Sequence, residues 1–398
     1  MRVCGAKVKV LLFANTDWYL YNFRRALAED LRERGYEVLL ASPQGRYAQE
    51  LKNLGFDWRE VPMHRRSLNI LRELRVLLHL YRIVRDEQVQ LIHGFTIKAA
   101  VYGGLLSRIT SCASICAIAG LGYVFTSSDL QARLLRPGVK LLIRIASSGR
   151  RAHVVLQNFD DQRMFIASRV IGDASKVTVI RGSGVDCTRF QRTAQRRSGE
   201  PLRVILASRL LWEKGIADYV DAARAIQQQG RSVQFYLAGS PDEGNPGSIP
   251  SEVVEQWEAA GLVKWLGHVD DMPTLLSSMH VFALPSTYGE GVPRSLLEAG
   301  ACGLALVTSL TPGCVEVVSH LETGLLVRPG NAASLADAIA QLDDSSELTH
   351  RLGAAAQTRI RAQFAEPVVL SQTARVYEHL IGKPCAAGTL SLPQSAGK

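Results

Sequence analysis

"VFALPSTYGEGVPRSLLEAGACGLALVTS", Val281 to Ser309, reads as strand, polar loop, helix and strand, and the rest of the chain is placed by what it brings to this segment. "VFALP" is a short apolar run ending in proline, as a buried strand would be, and "STYGEG" supplies turn residues with a carboxylate between two glycines. Pro293 stands where a first-turn proline is tolerated. Leu296, Leu297, Ala299 and Ala301 give an apolar side, and Gly303 stops the helix. Glu290 stands in the loop and Glu298 follows eight residues later, about two helical turns on at roughly 3.6 residues per turn. Two carboxylates therefore gather near one helix start, whose free N–H groups and positive dipole end suit an anionic or polyhydroxylated ligand.

Working outward, short β-branched runs alternate with amphipathic stretches on both sides of this segment. Toward the N-terminus the strand candidates are "VKVLLFAN", "YEVLLAS", "VQLIHG", "ASICAIAG", "AHVVLQN" and "VTVIRG". Residues 192–201, "RTAQRRSGEP", are polar and basic and break the pattern, as a linker does. The alternation restarts with "LRVILAS", "VQFYLAG", "VKWLG", "VFALP", "ALVTS" and "GLLVRP". The fold class predicted is α/β, two doubly wound Rossmann-like domains over 1–191 and 202–365. A last helix follows over 366–382, and 383–398 reads as a disordered tail. Ligands of such sheets bind beyond the carboxyl ends of the strands, so the loops after "VILAS", "YLAG", "WLG" and "ALP" share one crevice with Glu290.

The 398 residues suffice for two domains of ordinary size, and 47% hydrophobic with 21% charged residues is the balance of a globular enzyme. Seven scattered cysteines without paired metal spacing fit reduced thiols. "MRVCGAKVKVLLFAN" reads as a first strand rather than an export signal, since its apolar run is short and reaches Asp17 without a small-residue cleavage site. The longest uncharged stretch, residues 109–128, is diluted by serine, threonine and glycine, against a membrane span. The net charge of +9 is unevenly held: residues 1–200 carry 32 basic and 17 acidic side chains, residues 201–398 carry 14 and 20. An anionic partner for the first half, membrane surface or nucleic acid, follows.

"ASRLLWEKGI" puts Arg209 and Lys214 at a strand end and the next helix start. There they read either as solvated cations or as a clamp for a diphosphate, with Arg able to bond two oxygens at once. No D-x-D sequence occurs, so the usual carboxylate site for a metal-bound nucleotide is missing and neither metal nor cofactor is expected.

"ASRLLWEKG", "LGHVDDM" and "LPSTYGEGVPRSLLEAGACG" followed by "GLLVRPGN" resemble family 4 of the retaining, GT-B-fold glycosyltransferases, from the first strand to about Ile381. Glu290 and Glu298 match that family's E-x7-E motif. The resemblance implies two domains facing a central cleft with the C-terminal helix crossing back to the first, and a nucleotide-sugar donor. It implies that Glu290 holds donor-sugar hydroxyls and Glu298 the ribose, while Arg209 and Lys214 neutralise the leaving diphosphate. The resemblance further implies that backbone groups of Gly291 and Val292 lie near the sugar with Arg294 close by, and that His268 falls near the nucleobase. Fixed cations at the departing oxygen fit the charge that develops when an anomeric bond breaks. A two-carboxylate hydrolase is the competing reading. Its carboxyls stand about 5 to 9.5 Å apart, whereas two helical turns correspond to roughly 12 Å.

In the first half, "NTDWYLYNFRRALAEDLRERGYEVLLASP", "HGFTIKAAVYG", "IAGLGYVF", "VLQNFDDQRMF" and "VIRGSGVD" are similar to the branch that builds capsular and O-antigen polysaccharides, including N-acetylgalactosaminyltransferases acting on undecaprenyl-diphosphate-linked sugars. Asn15-Thr16-Asp17 replaces the Gly-Gly pair often found after the first strand, and the fifth strand lacks the histidine often found at its end. Acceptor-side candidates are Asn15, Asp17, His93 and Lys98. Asp17 follows the first strand; a histidine such as His93 is more often a satisfied structural residue, and Lys98 reads equally as a solvated lysine. Arg65 to Arg85, "RRSLNILRELRVLLHLYRIVR", interleaves arginines with leucines at helical spacing, the pattern of a helix lying on an anionic bilayer or of a core helix with a basic outer side.

The expected activity is transfer of a hexose or N-acetylhexosamine from a UDP-sugar to a polyprenyl-diphosphate-linked glycan, by a protein peripheral on the cytoplasmic membrane face and without nucleic acid as partner. A UDP-sugar 2-epimerase of the same architecture, without this E-x7-E setting, is the second reading. A nucleic-acid-binding module ranks last, for want of a recognisable motif.

Overall fold

The computed structural model describes residues 8–64, 67, 69–120, 125, 130–191 and 199–383. Most of the expected linker, the expected tail beyond Lys383, Arg65, Arg66 and most of 121–129 lie outside the described residues.

Apolar β-branched runs build two all-parallel sheets. The first holds β1 (Lys9–Phe13), β2 (Glu37–Ser42), β3 (Asp57–Glu60), β4 (Leu91–Phe95), β5 (Ala113–Ile118), β6 (Ala152–Leu156) and β7 (Val177–Val179), in the order β3-β2-β1-β4-β5-β6-β7. The second holds β8 (Leu202–Ala207), β9 (Val233–Ala238), β10 (Lys264–Trp265), β11 (Val281–Leu284), β12 (Ala305–Ser309) and β13 (Leu325–Val327), in the order β10-β9-β8-β11-β12-β13. Both are doubly wound, as expected. Each reverses direction once, between β1 and β4 and between β8 and β11, where crevices form at the carboxyl ends. β3 is an addition to the sequence reading. "DWRE" buries only Trp58, so its pattern is that of a polar edge strand rather than an apolar run. "VKWLG" pairs over only two residues.

Alternation along the strands feeds a layer on each face. In the first sheet Leu11, Phe13, Leu39 and Ile92 pack with the helices Ile70–Asp86 and Ile97–Ile109. Val10, Leu12, Leu40 and Leu91 meet the helix Arg25–Glu33 and, from the far end of the chain, Val369, Val376, Tyr377 and Ile381. The C-terminal helix Glu366–Ile381 thus crosses back to the first sheet. It is launched there by a backbone clasp, in which Val185 N–H donates to Phe364 O and Glu366 N–H to Val185 O, both at 3.0 Å. In the second sheet Val204, Leu206, Phe235 and Val307 face the helices Ile216–Gln228 and Ala332–Asp344, while Ile205, Phe282 and Leu306 face Arg294–Ala301 and Ser346–Gln363.

The turn from β8 into its helix has no room for a side chain. Gly215 has φ +73°, and a Cβ there would stand 1.9 Å from Pro285 O. Gly230 has a similar φ, +69°, but open space around it. Gly215→Ala should therefore cost clearly more than Gly230→Ala, whose backbone strain is of order 1–3 kcal/mol. Urea unfolding of the two variants checks this; equal losses would contradict the close packing of the two loops.

Candidate active site

Because β8 and β11 are neighbours at the reversal point, the loops that leave them lie side by side. Ser286 Oγ and Thr287 N–H both donate to Glu213 O, at 3.2 and 3.0 Å, fastening the turn that carries Lys214 to the loop that carries Glu290. Lys214 Nζ donates to Glu290 Oε2 at 2.5 Å, with the two side chains 11% and 10% exposed. Nζ also lies 5.3 Å from the centre of the Tyr288 ring. Burial acts to lower the ammonium's pKa, and the Glu290 carboxylate and Tyr288 outweigh it, leaving the pKa raised. Burial and Glu290 push the Tyr288 phenol up to about 12. Glu290 Oε1 is buried and has no partner. The pair is thus a fixed carboxylate with one acceptor oxygen open, suited to a ligand hydroxyl.

The next residues reach the first domain. Asn158 Nδ2 donates to Glu290 O at 3.1 Å, and Val292 N–H donates to Gln157 Oε1 at 3.0 Å. Gly291 lies so close that a Cβ would stand 2.1 Å from Ala119 O. Pro293 caps the helix Arg294–Ala301 from outside instead of lying in its first turn. Glu290 is therefore four residues upstream of the helix, and the two-turn spacing to Glu298 does not apply, because no single axis joins the pair. Arg294 Nε donates to Glu298 Oε1 at 2.8 Å, Arg294 Nη1 to Asn22 O at 2.5 Å, and the guanidinium stacks 4.8 Å from the Phe23 ring. Burial raises the Glu298 pKa against the pull of Arg294.

The remaining candidates are placed as follows. Arg209 is half exposed and pairs with Asp242 at 2.5 Å, in the loop after β9. His268 is exposed and lies 3.2 Å from Asp270. Asp17 is buried, and its oxygens accept from Trp18, Tyr47 and Ala48 N–H at 2.8, 2.7 and 2.9 Å, capping the start of the helix Ala48–Asn53. Asn15 is half-buried after β1. Lys98 Nζ donates to His64 O, Ser67 O and Glu73 Oε1 at 3.0, 2.8 and 2.8 Å, bracing the helix Ile70–Asp86. His93 lies inside β4 and is buried beneath the C-terminal helix. Gln157 and Asn158 were not among the sequence candidates, although polar residues directly after the apolar run "AHVVL" are the signal that marks them. Among the described residues no three His, Cys, Asp or Glu side chains come together as a metal site.

Two families of known proteins match the chain: the one described as "Glycosyl transferase 4-like" over residues 9–157 and "Glycosyl transferases group 1" over 188–359. Among curated relatives, the N,N'-diacetylbacillosaminyl-diphospho-undecaprenol alpha-1,3-N-acetylgalactosaminyltransferase of Campylobacter jejuni is 27% identical over 91% of this chain and 96% of its own. The capsular polysaccharide biosynthesis glycosyltransferase CapM of Staphylococcus aureus is 21% identical over 89% and 92%. Among solved structures, a Rickettsia africae glycosyltransferase superposes with TM-score 0.76 at 18% identity, covering 94% of this chain and 99% of that one. Anabaena HepE in complex with UDP superposes with TM-score 0.74 at 22% identity, covering 94% and 100%.

Removing one member of the buried pair leaves the other uncompensated. Lys214→Ala should cost about 3 kcal/mol, and adding Glu290→Gln should recover part of it. A double-mutant cycle by urea unfolding checks this; additive losses would contradict the pairing.

Proposed function

As the chain belongs to the glycosyl transferases, 4-like in its first half and group 1 in its second, we propose that it transfers a hexose or N-acetylhexosamine from a UDP-sugar to a polyprenyl-diphosphate-linked glycan, with retention and without a metal. The observation that carries the reading is the buried Lys214–Glu290 pair at the β8/β11 reversal, with Glu290 Oε1 unpartnered. Glu290 Oε1 accepts a donor-sugar hydroxyl. Lys214, held charged by its partner, faces the negative charge that grows on the departing diphosphate, where a fixed cation acts most strongly. Arg209 joins it on leaving Asp242. Glu298 holds the ribose once Arg294 yields one of its carboxylate oxygens, and His268 borders the base. The acceptor reading is supported by the likeness to the Campylobacter enzyme over nearly its whole length, and the donor by a fold shared with structures holding UDP and UDP-glucose.

Membrane contact is part of the proposal. No helix among the described residues is long and apolar enough to cross a membrane. The helix Ile70–Asp86 instead turns Val76, Leu80, Ile83 and Val84 inward and exposes Ile70, Leu71, Leu74 and Leu78 beside Arg72, Arg75 and Arg82. A second helix, Leu130–Ser147, exposes Leu134, Leu141 and Leu142 with Arg133 and Arg144. Exposed leucines among arginines on two helices of the basic half fit adsorption to the anionic inner face of the cell membrane.

A panel of UDP-sugars with synthetic polyprenyl-diphosphate acceptors should give an α-linked product from an α-linked donor, undiminished by excess chelator. A β-linked product, or activity lost to chelator and restored by Mg²⁺ or Mn²⁺, would overturn retention or metal independence respectively. Glu290→Gln and Lys214→Ala should each lower turnover about 10²-fold or more, and near-normal rates would remove them from the mechanism. On anionic liposomes Leu74→Asp and Leu141→Asp should each weaken sedimentation roughly fivefold or more; unchanged binding would place the membrane contact elsewhere.

A further inference from the structure

Beside the ends of β4, β5, β6 and β7, where the C-terminal helix passes, the first domain holds a small cavity that the donor reading does not use. Arg24, His93, Phe95, Gln157, Gly182 and Thr373 are in its wall, and its volume of about 20 Å³ is room for one water-sized oxygen. Arg24 ends the π-helical segment Leu20–Arg24 between β1 and the helix Arg25–Glu33, a geometry that occurs mostly as single turns and often at functional sites. Its side chain lies 4.3 Å over the Phe95 ring, and Nη2 donates to Tyr19 Oη at 2.9 Å. The residue is 8% exposed, Nε is buried without a partner, and among the described residues no carboxylate forms an ion pair with it. His93 is 3% exposed. Its Nδ1 lies 2.9 Å from Tyr377 Oη of the C-terminal helix, and its Nε2 is buried without a partner.

A buried cation without counter-charge and two buried nitrogens without partners are each unfavourable in an interior, and that both residues line one cavity marks a place completed by something else. Burial and then Arg24 hold the His93 pKa well below its ordinary value, so the wall carries a single positive charge. The cavity also adjoins the donor loop. Gln157 Oε1 accepts from Val292 N–H, and a Cβ on Gly182 would lie 3.3 Å from the Val292 side chain.

We propose that this cavity is a subsite for one oxygen of an anionic group, a carboxylate or a phosphoryl group, carried by the acceptor. The word acceptor rests on the transferase reading; the anion site itself does not. The oxygen takes the Arg24 Nε–H, meets His93 Nε2 and replaces a water, and the charge of its group offsets the buried guanidinium.

The test uses the full chain with ¹⁵N-labelled histidine, the His93 signals being identified by their loss in His93→Gln. D-glucuronate, inorganic phosphate and neutral D-glucose are titrated in turn, without any UDP-sugar. A saturable shift of the His93 ring with either anion and none with glucose is expected. The anion that acts tells a sugar carboxylate from a phosphate as the source. Arg24→Gln should weaken that anion about tenfold or more, with Arg24→Lys in between. No shift with either anion, an equal shift with glucose, or unchanged affinity in Arg24→Gln overturns the proposal. Should Arg24→Gln fail to fold, the anion-versus-glucose contrast in the wild type and the Arg24→Lys titration decide. UDP binding is measured on the same samples: its absence counts against the donor reading and leaves the anion result standing.

Discussion

A lysine and a glutamate buried together have to be held by something stronger than their own attraction, because taking both out of water costs several kcal/mol per ion before the pair is formed. In this chain the sheet supplies the hold. β8 and β11 lie side by side where the strand order reverses, and Glu213 O, accepting from Ser286 and Thr287, ties the two loops before the charged groups meet. Gly215, packed on Pro285 O, sets the turn that aims Lys214. The pair is then a fixed electrostatic element with one oxygen free.

The first domain meets it with the segments that leave β1 and β6. Gln157 and Asn158, just past β6, hold the backbone of Val292 and Glu290, while Asn22 and Phe23, in the segment after β1, hold Arg294. Arg24 follows directly, so the residues that touch the helix Arg294–Ala301 and a residue in the wall of the first-domain cavity are consecutive in one π-helical turn. The crossover helix closes the unit from behind through Tyr377 on His93.

Much of this was legible because it depends on local patterns. Apolar runs bounded by glycine and polar turns located both sheets. Among the strands of the described residues only the edge strand Asp57–Glu60 escaped, since three of its four side chains are turned away from the core. The loop carrying Glu290 announced itself by a carboxylate between glycines. Partner choice was not legible, because it is settled across distances that no spacing encodes. Asp17 reads as a crevice carboxylate, but it caps a helix thirty residues on. Lys98 reads as an acceptor-side cation and braces Glu73. Arg24 reads as one more arginine of a basic half. Its spacing from Leu20, Leu27, Ala28 and Leu31 puts a charge on the buried stripe that runs through Leu20–Arg24 and the helix Arg25–Glu33.

The central claim is that the free oxygen of the Lys214–Glu290 pair receives the donor sugar. A crystal structure of the chain with a UDP-hexose it turns over tests this most directly. The account predicts Glu290 Oε1 within hydrogen-bonding distance of a sugar hydroxyl, with Lys214 beside the diphosphate and the ribose at Glu298. A nucleotide-sugar bound with its sugar away from Glu290, and the Oε1 still unpartnered, would contradict it.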